Sequence, residues 1–351
     1  MQGRVIGMAG AALVLTLCAA CGGDGASEPP PTLPEPTATR SPRPTATAEA
    51  TAAATPHVVA TPASRCPDPY AEGAPYEPTP GAPIRLRPGA APPEPAAYAP
   101  AALVRDRDLE EVVQDAIGTE EEHFAVVVKN LDDGKGVSMD AERSFYAASL
   151  YKTWVMLELL HQRNAGLLDF DEELIVSEYY ESLGLNTGEL KACDHVTMEE
   201  ALRRMMSFSD NVAANMLLDR AGVWNVNIAV RALGLEATGF VDGTLPTTAA
   251  DTALLLEAIA SGGALNEGSS AEMILLLGTE VIDNRLPALL PAGTKVAHKT
   301  GSWDTATHDA GIVFSPEATY VIVVLTDYGY ADGGAERIAR LSRAVYDYYN
   351  P

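Results

Sequence analysis

Twenty of the chain's 25 prolines fall between Pro29 and Pro100, and the 251 residues after them hold only Pro246, Pro287, Pro291, Pro316 and Pro351. Proline fixes its own backbone and removes a hydrogen-bond donor, so such density resists both helix and sheet. The 351 residues therefore divide rather than fold as one. Residues 22–104, rich in Pro, Ala and Thr, read as a mostly disordered spacer. A folded unit, 105–351, begins near Leu103 or Asp108. With 47% hydrophobic residues overall there is ample material for a core.

The chain starts with Arg4, a short apolar run from Val5 to Leu17, and small residues. The run is too brief to span a bilayer comfortably and has the pattern of a secretory signal over 1–21. Cys21 follows "LCAA", which resembles a lipoprotein signal in which Cys21 is lipidated and becomes the mature N-terminus, although Cys18 stands where a larger aliphatic residue is usual. That resemblance implies an extracytoplasmic protein held at the membrane by its N-terminal lipid, with a spacer reaching on the order of 50 Å or more. Without lipidation the protein would be secreted. The net charge of -24 argues against nucleic acid and anionic membrane surfaces as partners. Beyond Cys18 and Cys21 only Cys66 and Cys193 remain; a disulfide between them and two free thiols are equally simple readings in an oxidising compartment.

Strand patterns lie at the two ends of the folded unit: "HFAVVVKNL" from His123, "TKVAHKTGSW", and the continuous apolar run in "ATYVIVVLTD". Between Ser149 and about Gly278 the periodicity is helical. Thr197 and Glu200 form a capping-box signature ahead of "MEEALRRMM"; Ser209 or Asp210 caps the next helix, which Gly222 ends. Further helical patterns start near Asp108, Asp251 and Ala335. Terminal strands pairing around a helical insert predict an α+β fold: an antiparallel sheet flanked by helices, a helical lobe, and a cleft between the two.

"FYAASLYKTWVMLELL" places Lys152 in a helix that is otherwise apolar on most sides, in a chain with 18 arginines but only 6 lysines. A buried ammonium is costly unless it is paired or used. Ser149 stands one turn before it, so a hydroxyl and an amine share a helical face. Such an S-x-x-K spacing arises by chance roughly once in a chain this long, and "SDN" (Ser209, Asp210, Asn211) or "KTG" (Lys299, Thr300, Gly301) roughly once in twenty. Taken alone, "SDN" is an ordinary helix cap and "KTG" a strand end with a turn glycine. All three in this order fall below about one chance in a hundred.

These motifs resemble those of class A β-lactamases and the related penicillin-binding serine peptidases, over roughly Leu109 to Tyr349. "HKTGS", "DAGIVFSP" and "YVIVVLTD" also sit where such proteins have comparable segments. The resemblance implies a serine hydrolase with Ser149 as nucleophile and Lys152 as its base, since lysine's pKa falls on burial whereas arginine stays charged. It implies an oxyanion hole from the backbone N–H groups of Ser149 and Ser302, and proton relay through Ser209. Asn211 would hold the substrate amide and help fix Lys152. Lys299 and Thr300, with Ser302, would bind the carboxylate that β-lactams and D-Ala-D-Ala peptides carry, and Gly301 would permit close backbone approach. His298 and His308 complete no Ser-His-Asp arrangement and read as packing residues. No cofactor is expected, no metal-ligand spacing is present, and a monomer is expected.

One departure stands against these agreements. Class A enzymes carry a glutamate in an E-x-x-L-N stretch, and this chain has none: after Leu233 and Gly234 it runs "LEATGFVDGTLPTTAAD" into the next helix. The interval from Ser209 to Lys299 is shorter than usual by roughly a dozen residues. Glu236 and Asp242 are the acids left there, and "GALNEG" near Asn266 comes too late. Three readings follow, in this order. The first is a β-lactamase-like hydrolase in which Asp242, Glu236 or Lys152 supports deacylation, with slow turnover as one form of it. The second is a D,D-peptidase acting on wall stem peptides. The third is a binding lipoprotein that acylates once.

Overall fold

A computed structural model describes Cys66, residues 98–329 and residues 331–351. The expected signal over 1–21, lipidation at Cys21 and nearly all of the spacer lie outside the described residues. In chain order the elements begin with β1 (Val104–Arg105), α1 (Arg107–Ile117), β2 (Phe124–Asn130), β3 (Lys135–Met139) and β4 (Phe145–Tyr146). The middle of the chain forms α2 (Tyr151–Asn164), β5 (Glu173–Ile175), α3 (Glu178–Ser182), β6 (His195–Thr197), α4 (Met198–Ser207), α5 (Asn211–Ala221) and α6 (Val223–Ala232). Then follow β7 (Pro246–Thr247), α7 (Ala249–Ala260), α8 (Glu267–Leu277), β8 (Lys295–Trp303), β9 (Ala306–Phe314), β10 (Thr319–Thr326) and α9 (Gly334–Tyr349).

Six strands pair in the order β1-β3-β2-β10-β9-β8, and every neighbouring pair is antiparallel except β1 with β3. The two ends of the folded unit thus meet in one sheet, with Val323 of β10 opposite both Val127 of β2 and Ala310 of β9. Side chains alternate across a strand. Ala125 and Val127, with Val321, Val323 and Leu325, pack into the core shared with the helical lobe. Val126 and Val128, with Ile322 and Val324, pack on α1 and α9 instead. Both strands are continuous apolar runs because both faces are covered.

Each covering helix presents one apolar stripe. In α1 the stripe is Leu109, Val113 and Ile117, and the helix starts on Asp106, whose carboxylate accepts from Leu109 N at 3.3 Å. The α2 helix is different: Trp154, Val155, Met156, Leu157, Leu159 and Leu160 are all buried, so it is enclosed rather than amphipathic.

Contacts with the sheet layer begin before β1. Lys129 on β2 pairs with Glu257 on α7 at 2.6 Å, and that carboxylate also accepts from Tyr98 Oη at 3.3 Å and Ala101 N at 3.2 Å. A second fastening is covalent: Cys66 and Cys193 form a disulfide, with 5.5 Å between their Cα atoms.

Truncating Ile322, which is fully buried beneath α1 and α9, should lower stability by about 2–5 kcal/mol. Urea unfolding of Ile322→Ala measures this, and a loss below about 1 kcal/mol would contradict the packing described.

Candidate active site

The Ser149 turn is built from both sides. Ala147 N donates to Leu245 O at 2.8 Å, which fastens the end of β4 to the loop before β7. Ala148 then adopts φ +47°, a left-handed conformation costly for a residue with a Cβ, and a single turn of 3-10 helix over Ala148–Leu150 leads into α2. On the other side stands β8. A Cβ on Gly301 would lie 2.8 Å from Ala147 O and 3.3 Å from Leu150 Cγ. Glycine at this position therefore lets the strand approach the Ser149 turn itself, in addition to any approach of a substrate. Ser149 is half-buried there.

The second motif reaches the same place from the helical lobe. Thr197 caps α4, its hydroxyl accepting from Glu200 N at 3.1 Å. Between α4 and α5 the chain turns through Ser209 at φ +55°. Asp210 is the cap of α5: it accepts from Ala213 N at 3.0 Å and Leu190 N at 3.2 Å and pairs with Arg204 at 3.1 Å. With Asp210 doing the capping, Ser209 and Asn211 on either side of it are left to face Lys152.

Lys152 has no solvent exposure. Its Nζ lies 2.6 Å from Ser209 O, 2.9 Å from Ser209 Oγ and 2.9 Å from Asn211 Oδ1. Burial, reinforced by the Lys299 charge, brings its pKa down from 10.5 to about 7, against the opposing pull of Glu189, Glu280 and Asp210. Desolvation penalises the ammonium and leaves the neutral amine accessible near neutral pH. A neutral amine has two N–H donors and one lone pair. The donors satisfy Ser209 O and Asn211 Oδ1, and the lone pair is left for the Ser209 hydroxyl, which can donate as readily as accept. Lys152 and Ser209 can therefore exchange a proton directly.

The third motif lies on β8, where Lys299 and Thr300 are fully enclosed. Lys299 Nζ forms an ion pair with Glu280, and neither side chain is exposed. The same carboxylate oxygen accepts from Thr300 Oγ1 at 3.3 Å. Further along, Arg285 is buried behind the strand, donating to Gly301 O at 2.8 Å and also to His308 O and Ser302 Oγ. The histidines support this arrangement. His308 Nε2 donates to Tyr146 O at 2.9 Å and Nδ1 accepts from Thr326 N at 3.1 Å, a neutral tautomer assigned from its partners. Burial holds its pKa down at about 4. Burial alone would also lower His298, but Asp309, 2.9 Å from its Nδ1, outweighs that and holds its pKa above the usual value.

The shortened loop holds no carboxylate over this site. Glu236 and Asp242 are both exposed, and Asp242 with Gly243, at φ +48° and +78°, forms the tip of a tight turn closed between Val241 and Thr244. Its inward residue is Phe240, whose ring meets Tyr151 at 5.7 Å and Trp154 at 5.8 Å between centroids. Asn227 on α6 holds Phe240 in place through both of its backbone groups, at 2.8 and 2.9 Å. An aromatic ring packed over α2 thus occupies the loop that carries a carboxylate in the E-x-x-L-N pattern.

Two buried carboxylates were not visible as site residues in the sequence. Glu189 accepts from Asn211 Nδ2 at 2.7 Å and Asn211 N at 2.9 Å, which turns the Asn211 carbonyl oxygen toward Lys152. It also gathers Leu185 N at 2.7 Å and Asn186 N at 3.2 Å. Glu280 is the partner of Lys299. The one signal for it was an acid between Gly278 and the apolar pair Val281 and Ile282. Among the described residues, no group of three or more His, Cys, Asp or Glu side chains is placed to hold a metal ion.

Comparison with known proteins agrees with this geometry. The family model described as β-lactamase enzyme family matches residues 107–349. The extended-spectrum β-lactamase PER-1 of Pseudomonas aeruginosa is 25% identical over 267 residues, covering 68% of this chain and 87% of that protein. The carbapenem-hydrolyzing β-lactamase KPC of Klebsiella oxytoca is 27% identical over 232 residues, covering 58% and 75%. Among solved structures, PBP-A is 26% identical with a TM-score of 0.66, covering 72% of this chain and 99% of its own, and a PBP-A variant has been solved as an acyl-enzyme complex with penicillin G. With Ser149, Lys152, Ser209 and Lys299 gathered between sheet and helical lobe, and the match spanning nearly the whole folded unit, the chain belongs to the β-lactamase enzyme family as a class A-like serine hydrolase.

Proposed function

We propose that this hydrolase acylates Ser149 with β-lactam-type substrates and then hydrolyses the acyl-enzyme. The observation that carries the reading is the fully buried Lys152 amine, brought to about pKa 7, hydrogen-bonded to Ser209 and Asn211 one turn from Ser149. In its neutral form, with the Ser209 hydroxyl turned to accept rather than donate, its lone pair takes the Ser149 hydroxyl proton as Oγ attacks the substrate carbonyl. The developing oxyanion lies against the backbone N–H groups of Ser149 and Ser302. When the C–N bond breaks, the proton passes from Lys152 through Ser209 to the departing nitrogen. Water then attacks the ester carbon and Ser149 leaves with a proton. Of the three groups the sequence offered for this second step, Glu236 and Asp242 are exposed and Lys152 is hydrogen-bonded within the site, which favours Lys152 as the base.

Phe240 in the shortened loop favours a slow second step, because it brings no carboxylate to orient water. That is the feature that would make the protein a D,D-peptidase on wall peptides whose β-lactam adducts persist. Incubating the protein with a chromogenic cephalosporin and following colour together with intact mass separates the readings. Many turnovers without a lasting adduct support the hydrolase; a stoichiometric adduct that stays, with release of D-Ala from a pentapeptide, supports the peptidase. Ser149→Ala should abolish every one of these signals, and any that survive exclude Ser149 as the nucleophile.

The pH dependence has a definite sign. A lysine of lowered pKa is protonated, and inactive as a base, below that value, so the acylation rate should climb with pH through about 7 and level off above it. Stopped-flow acylation between pH 5 and 9 checks this; a rate that falls over the range rules out Lys152 as the base.

The reading extends to location. A signal over 1–21, lipidation of Cys21 and a spacer over 22–104 would place the folded unit, as a monomer, outside the cytoplasm and tethered to the membrane. Cys21→Ser should then move the protein from the membrane fraction to the soluble one. Its retention in the membrane fraction would count against a lipid anchor.

A further inference from the structure

The chemistry assigned to Ser149 leaves Glu280 without a task, yet its placement is tightly determined. The segment after α8 is fastened to the end of α4, two residues before Ser209: Val281 N donates to Ser207 O at 3.0 Å, and Ser207 Oγ donates to Thr279 Oγ1 at 2.6 Å. This fastening turns Glu280 inward against β8. Its Oε2 takes the Lys299 ammonium, Thr300 Oγ1 at 3.3 Å and Thr300 N at 3.4 Å, while Oε1 accepts from Ile282 N at 3.3 Å. Lys299 and Thr300 are the residues that the motif assigns to a substrate's carboxylate. In this protein they already hold one.

A substrate carboxylate arriving at Lys299 and Thr300 meets a fixed negative charge beside the Lys299 ammonium, and the second cation nearby, Arg285, is already spread over Gly301 O, His308 O and Ser302 Oγ. Two carboxylates sharing a site repel, and a buried like-charge contact opposes binding strongly. A neutral leaving side carries no such opposition and loses no ion pair that Lys299 was waiting to make. We propose that Glu280 is a specificity-determining residue that offsets the Lys299 charge at its end of the carboxylate subsite, so that the enzyme acylates as readily from donors with an uncharged leaving side, such as an ester or an internal peptide amide, as from donors ending in a free carboxylate, with the Arg285 charge on the Ser302 side committed to Gly301 O, His308 O and Ser302 Oγ. The proposal rests on Ser149 being the acylated nucleophile and adds the substrate class. Glu280 acts through Lys299 and is a positioning residue, with its effect confined to the charge of the leaving side.

The test compares acylation of the full protein by benzylpenicillin and by its methyl ester, read as adduct formation by intact mass, so that it does not depend on turnover. In the wild type the two rates should agree within about threefold, and in Glu280→Gln the free carboxylate should gain about tenfold or more over the ester. Glu280→Asp, which keeps the charge, should retain the wild-type ratio. A wild-type preference for the free carboxylate of about tenfold or more, or a Glu280→Gln change that is equal for both donors, overturns the proposal. Should Glu280→Gln not fold, as judged by its thermal melt, the wild-type ratio decides alone. Failure of both donors to modify the wild type, with Ser149 also unlabelled by a fluorophosphonate, is a different result: it removes the assignment of Ser149 and the proposal with it.

Discussion

Everything at this site depends on keeping one amine dry. Lys152 lies in an enclosed helix, and among the described residues its hydrogen bonds go to Ser209, in the turn between α4 and α5, and to Asn211 at the start of α5. Had the amine been exposed, water would stabilise its ammonium form and it could not act as a base near neutral pH. The helical lobe is therefore the solvent-excluding body for a single nitrogen. The sheet supplies the other wall through a strand that comes close because residue 301 has no side chain. Ser149 sits where the two walls meet, on a turn held from Leu245 on one side and packed against β8 on the other.

Burying charge here is handled by local pairing. Lys299 lies against Glu280, His298 against Asp309, Asp210 against Arg204 and Lys129 against Glu257. Breaking any of these pairs from one side leaves an uncompensated ion, which is more damaging than replacing both partners by apolar groups. Lys152 stands apart from this pattern. Its nearest partners are neutral oxygens and an amide, while Glu189 and Asp210 act on it from a distance. A direct carboxylate partner would hold the proton on the amine, so its absence from the hydrogen-bonding shell is what keeps the base usable.

Much of this was legible in the sequence because it is local. The Thr197 cap of α4, the stop at Gly222 and the apolar runs of β2 and β10 depend on residues close together in the chain, and each forms where its pattern predicts, although the Glu200 carboxylate pairs with Arg203 instead of closing the box on Thr197. The three motifs were legible because their order and spacing were improbable together. The β9 strand was not read as a strand. Its apolar pattern is broken by His308, Asp309 and Gly311, which are polar or small because His308 holds the Tyr146 carbonyl, Asp309 pairs with His298, and a Cβ on Gly311 would lie 2.6 Å from His298 Cβ. The parallel pairing of the two-residue β1 was hidden by its shortness. Glu189 and Glu280 were hidden for a further reason. Each sits in a stretch with no periodic signal of its own and meets its partner about twenty residues along the chain.

The bridge between Cys66 and Cys193 has a mechanical meaning. Without it, a pull from ahead of Tyr98 would first draw Tyr98 and Ala101 from Glu257 and then peel β1, a short edge strand. With it, tension applied ahead of Cys66 passes through sulfur to the loop before β6 and bypasses the sheet edge. That loop, between α3 and β6, contains Glu189, whose carboxylate holds Asn211 against Lys152. The covalent load path of the molecule therefore ends four residues from the hydrogen bonds that position its base.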